Sequence, residues 1–114
     1  MEIFLVYHKI NPDFWSEPDV VPATDLEYVA TVHANDLNGV YRATNNIDMD
    51  WQLNPEILKT ADKKSFRSTS VGDVIVAIPH NWIADDIKVY LVARCGFKEI
   101  KISTKEVPSV QEMD

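Results

Sequence analysis

The chain holds a single cysteine, Cys95, and only three glycines, at positions 39, 72 and 96, in 114 residues. One cysteine closes no intramolecular disulfide and builds no cysteine-based zinc cage, which suits a reducing, intracellular setting. Three scattered glycines provide no phosphate-binding loop, and no Gly-x-Ser-x-Gly elbow is present. Basic residues are also scarce: 11 Lys and Arg face 18 Asp and Glu, a formal net charge of −7. That balance argues against a general binder of DNA or anionic membranes, because neutralising phosphate needs a cationic surplus. The opening residues, Met1 to Lys9, lack a basic lead, and their apolar run is too short for a signal peptide or a membrane span.

What is present describes an ordinary globular chain, 46% hydrophobic and 25% charged, large enough to close one core without staples. The charge is uneven. Residues 1–62 carry eleven acids against three bases, and residues 63–114 carry seven against eight. An acidic half beside a balanced half permits a basic protein partner, although acidity also keeps a small protein soluble.

The strongest strand signal is Val74 to Ile78, an apolar run delivered by the polar stretch Arg67-Ser68-Thr69-Ser70-Val71-Gly72-Asp73. Glu2 to His8 is apolar on both faces and reads as an interior strand. Residues 11–22 contain Pro12, Pro18 and Pro22 and read as a long loop. Phe14 and Trp15 lie in that loop, folded back on the core or exposed as a partner-binding hook. Leu26 to Ala34 alternates as a half-buried strand, with Leu26, Tyr28, Ala30 and Val32 on one face. Asn35 or Asp36 then caps a helix whose face is Leu37, Val40, Tyr41 and Thr44, weakened by Gly39 and ending near Asn45-Asn46. Pro55 is placed to start a short helix through Thr60. Lys88 to Arg94 and Phe97 to Ile102 complete the strands, with Trp82 in the loop before them and a turn at Gly96. The expectation is an α+β fold: a mostly antiparallel sheet of about five strands packed by one main helix. It forms a single domain over 1–104 with a polar tail over 105–114.

Catalysis has no positive support. His8, His33 and His80 show no metal-ligand spacing. Asp48 and Asp50 could serve a divalent ion only if further ligands converged, and solvated charge explains them equally. Cys95 beside Arg94 reads as a small buried cysteine at a strand end. No catalytic residue, metal or cofactor is therefore assigned. The remaining constellation is Thr44, Asn45, Asn46, Trp51, Arg67, Ser68, Ser70 and Asp73. It reads in two ways. A fold-forming version has Asp73 and Ser68 or Ser70 close a turn, Arg67 pair with an acid of the first half, and Trp51 plug the core. A ligand- or partner-binding version uses the Arg67 fork against a carboxylate or phosphate, with Trp51 available to stack a base.

Tyr41-Arg42-Ala43-Thr44-Asn45-Asn46-Ile47-Asp48, Trp51, Arg67 to Ile75 and Gly96-Phe97-Lys98-Glu99-Ile100 resemble a pattern of small uncharacterised proteins from bacteriophages and mobile elements. The Ser-Val-Gly-Asp segment followed by Gly-Phe-Lys-Glu is similar to the YodL-like domain of conjugative elements. The resemblance covers roughly residues 26 to 102. It implies a setting, the cytoplasm of a bacterial host, and no particular reaction. The resulting expectation is a non-enzymatic accessory protein, monomer or homodimer and not membrane-bound. It would bind and modulate a host or phage protein through its acidic surface, with Phe14, Trp15 and Trp82 as aromatic anchors. The alternative is a small-ligand or nucleic-acid-binding module at the Asn45, Trp51, Arg67, Ser68 and Ser70 cluster. Third stands a hydrolase or transferase using Cys95 or Asp48 and Asp50.

Overall fold

A computed structural model describes residues 2–12, 16–46, 50–79 and 86–103. Its strands are β1 (Glu2–Lys9), β2 (Val20–Pro22), β3 (Leu26–Ala34), β4 (Ile57–Thr60), β5 (Val74–Ile78), β6 (Lys88–Val92) and β7 (Phe97–Ser103), with one α-helix, α1 (Leu37–Ala43). They form one seven-stranded sheet in the order β2-β7-β6-β5-β1-β3-β4. The α+β class and the mostly antiparallel sheet stand. The strand count rises from about five to seven, and the sheet is mixed because β2 runs parallel to β7.

Both added strands are edges, and both are short. β2 lies inside the stretch read as a loop, where Pro22 is tolerated because an edge strand can leave one side of its backbone unpaired. β4 replaces the helix expected from Pro55. Leu58 and Lys59 are exposed and Ile57 and Thr60 half-buried, so the segment has no helical face to bury and pairs with β3 instead.

The apolar run Val74 to Ile78 becomes the middle strand, with Val74 and Ile75 both fully buried on opposite faces. β1 lies between β5 and β3, as an all-apolar strand should. Phe4, Val6 and His8 are its buried set, while Leu5 and Tyr7 point to the other face and are half-buried. The main core joins Phe4, Val6, Val32, Val40, Trp51 and Ile75 under α1, and a second cluster on the opposite face joins Val21, Val74, Val76, Leu91 and Ile100.

β3 departs from strict alternation. Val6 pairs with Ala30 and Tyr7 with Tyr28, so Val29 is the extra residue of a bulge. The bulge lets Val29 and Ala30 both enter the main core, fully buried. Asp36 caps α1 by accepting a 2.8 Å hydrogen bond from the Gly39 amide. A Cβ on Gly39 would stand 3.3 Å from that carboxylate and 3.4 Å from the Ala34 methyl, so glycine here is the residue that lets the first turn close on its cap. No described helix is long and apolar enough to cross a membrane.

Candidate functional site

The polar constellation of the sequence assembles where the end of β1, the residues after α1 and the loop into β5 converge. Gly72, at φ 97°, turns the chain. The Asp73 amide donates to the Ser70 carbonyl at 3.0 Å, and exchange of hydrogen bonds with Val92 latches the turn onto β6. This places the Asp73 side chain inward, 1% exposed.

Its carboxylate is then surrounded. Arg67 approaches as a fork, with Nη1 2.7 Å from Oδ2 and Nη2 2.7 Å from Oδ1. The Lys9 amide donates to Oδ1 and the Ser70 amide to Oδ2, each at 2.8 Å. A carboxylate offers about four lone-pair sites; these four donors fill them, and the Ser70 hydroxyl makes a fifth, longer contact at 3.5 Å from Oδ2. The same guanidinium donates to the Ser68 carbonyl, the Ser70 hydroxyl and the Lys9 carbonyl. Its charge is held more firmly than usual, first by the hydrogen bond to Asp73.

Thr44 and Asn46 sew the end of α1 to this loop. The Thr69 amide donates to the Thr44 carbonyl at 2.9 Å, the Asn46 amide to Ser68 Oγ at 2.8 Å, and Asn46 Nδ2 to the Phe66 carbonyl at 3.3 Å. Trp51 closes the circuit. Its amide donates to Asn46 Oδ1 and its indole Nε1 to the Arg67 carbonyl, both at 2.9 Å. The ring, fully buried, lies against Phe66 and meets His8 edge-on. Asn45 bonds back into α1 instead, its side chain donating to the Tyr41 carbonyl and its amide to the Arg42 carbonyl.

Seven of the eight sequence-predicted residues thus form one connected network, with Asn45 at its margin. The pairing differs in one respect: Arg67 joins Asp73, six residues on, and not an acid of the first half. Base stacking on Trp51 would require an open ring face, and this ring has none. The arrangement binds three segments of the chain to one another.

His8 belongs to the same network, and sequence reasoning passed over it. Its Nε2 lies 2.9 Å from Thr69 Oγ1 and 3.9 Å from Asp73 Oδ2. A hydroxyl, an imidazole and a carboxylate in one cluster suggest a nucleophile relay, but that chemistry needs hydroxyl and carboxylate on opposite ring nitrogens. Here both face Nε2. Burial pushes the His8 pKa down to about 4, with Asp73 opposing that fall and the nearby Arg67 charge adding to it. His8 is therefore neutral at neutral pH. The available signal was its place in the inward register of β1, after Phe4 and Val6.

The other candidates fall elsewhere. Cys95 is exposed in the turn between β6 and β7, contrary to the buried position expected. Gly96, at φ 82°, reverses the chain beside it. Asp50 is exposed and His33 half-buried. Among the described residues no group of three or more His, Cys, Asp or Glu is disposed to hold a metal ion. Phe14, Trp15, Asp48, His80, Trp82 and the polar tail lie outside the described residues. No family model matches the chain, and neither a curated protein nor a solved structure matches it significantly.

Proposed function

We propose that this chain is a non-enzymatic accessory protein that binds another protein through an acidic surface and alters its activity. In the setting that the YodL-like resemblance implies, the partner is a host or phage protein in a bacterial cytoplasm. One observation supports the reading beyond composition. The antiparallel register aligns Glu2 with Ala34, two residues before Asp36, and the Glu56 carbonyl accepts from the His33 amide. Acids distant in sequence thus gather at one end of the sheet. All three are exposed, and none has an ion-pair partner among the described residues. Such a face favours encounter with a basic partner and disfavours nucleic acid.

The test is affinity capture from bacterial lysate with the wild-type chain and with a Glu2→Gln, Asp36→Asn, Glu56→Gln variant. Asparagine is as good a helix cap as aspartate, so the second change leaves α1 capped. The wild type should recover a stoichiometric partner that the variant loses and that added salt releases. Recovery of nothing, or equal recovery by both chains, refutes the reading.

A further inference from the structure

The segment Glu17–Pro22 differs from every other part of the sheet in how it is held. Its three-residue β2 is the parallel member of an otherwise antiparallel set, aligned Val20 to Lys101, Val21 to Ile102 and Pro22 to Ser103. Parallel pairing is favoured where both faces are covered, yet Val20 is 50% exposed and only Val21 enters the second core.

Other attachments of the segment are ion pairs and hydrogen bonds between exposed or half-buried groups. Glu17 Oε2 lies 3.6 Å from Arg94 Nε and accepts from the Arg94 amide at 3.0 Å. Lys98 Nζ donates to the Glu17 carbonyl at 2.6 Å and pairs with Asp19 Oδ1 at 2.8 Å. The Lys101 amide donates to the Asp19 carbonyl at 3.0 Å. The acids come from the acidic half of the chain and the bases from the balanced half, so the pairs work across the charge division of the sequence. Exposed pairs of this kind are screened by salt, whereas the hydrogen-bonded ladders of β1, β5 and β6 are not.

We propose that Glu17–Pro22 is a salt-releasable strap, clipped by ion pairs to Arg94 in the β6–β7 turn and Lys98 on β7, which opens as a unit before the sheet unfolds and bares the β7 edge. When open, it withdraws Val21 from the second core and uncovers the Lys101 amide, which otherwise donates to the Asp19 carbonyl. The device is independent of the partner proposed above, since Glu2, Asp36 and Glu56 lie on or beside β1, β3 and β4.

Residue-resolved hydrogen exchange on the full chain tests it, with the Lys101 amide as reporter of the strap and the Val6 and Ile75 amides as reporters of the sheet. Raising salt should speed Lys101 exchange about two- to thirty-fold, the range two screened surface pairs allow, and leave Val6 and Ile75 unchanged. A Glu17→Gln, Lys98→Met variant should show the fast Lys101 exchange already at low salt and no further response to it. Lys101 exchanging in step with Val6 and Ile75 at every salt concentration would overturn the proposal. So would an undiminished salt response in the double variant.

Discussion

Two ion-paired regions hold this molecule together at different places, and distance does not distinguish them. The Arg67 to Asp73 contact is 2.7 Å and the Lys98 to Asp19 contact 2.8 Å. The cations are alike, Arg67 37% and Lys98 35% exposed, and the acids are not: the Asp73 side chain is 1% exposed and the Asp19 side chain 87%. Water can replace Lys98 around Asp19 as soon as the lysine leaves. Arg67 is itself 37% exposed, but the Asp73 carboxylate it covers is buried, so removing the guanidinium strands a charge inside the protein. The lesson is that the penalty for breaking a pair follows the burial of the charge left behind. The cluster behind Asp73 is accordingly a structural clasp, and the strap is an attachment the molecule can release.

The largest expected effect comes from breaking the clasp on one side. Arg67→Met leaves a buried carboxylate with two backbone amides and the more distant Ser70 hydroxyl, and unfolding in urea should show a loss of about 3–5 kcal/mol. Adding Asp73→Asn to that variant removes the stranded charge and should restore part of the loss. A double-mutant cycle reads the coupling directly. Strict additivity of the two changes would mean that the pair contributes no mutual energy, and the clasp would then be no stronger a tie than the strap.

The next effect sharpens the burial argument through pH. His8 is neutral in the folded chain because its pKa is pushed down to about 4, while the unfolded chain binds a proton near the ordinary 6.5. Between those values the unfolded state holds more protons, so stability is fully present above the unfolded pKa and declines as pH falls toward 4. From near pH 7.5 to near pH 5 the loss attributable to this one ring should be about 2 kcal/mol. His8→Gln keeps a side chain that can bond Thr69 and removes the titration. Its stability should therefore fall less than that of the wild type over the same range. Parallel pH profiles for the two chains would show that His8 is hydrated enough to protonate in place.

Much of this was legible before the fold was seen, for identifiable reasons. β5 declared itself by a continuous apolar run and α1 by a capping acid and a 3.6-residue spacing. The clasp residues were recognisable as a group because Ser, Thr, Asn and Asp around a Gly-Asp turn have few uses besides bonding backbone. The partner of Arg67 was not recognisable, since any of the acids could have met it and only the turn at Gly72 aims Asp73 back along the loop. β2 and β4 escaped because edge strands of three or four residues carry no periodicity, and a proline within or near each suggested other conformations. Val29 needed the bulge, which depends on pairing with β1. Cys95 was assigned to the interior on residue type alone, but the turn at Gly96 places it outside.

The smallest expected effect is the most discriminating. Glu17→Gln removes the ion pair with Arg94, which is 3.6 Å long between side chains 32% and 59% exposed, so global stability should change by less than about 1 kcal/mol. At about 1 M salt the screening length shrinks to about 3 Å, and the difference between variant and wild type should vanish. The loss caused by Arg67→Met should persist under the same conditions, because salt does not reach a carboxylate that solvent does not reach. Denaturation in urea, at low and high ionic strength, measures both with one chain length and one fold. If the Arg67→Met penalty also faded with salt, the clasp would be a surface feature like the strap, and burial would no longer separate the two.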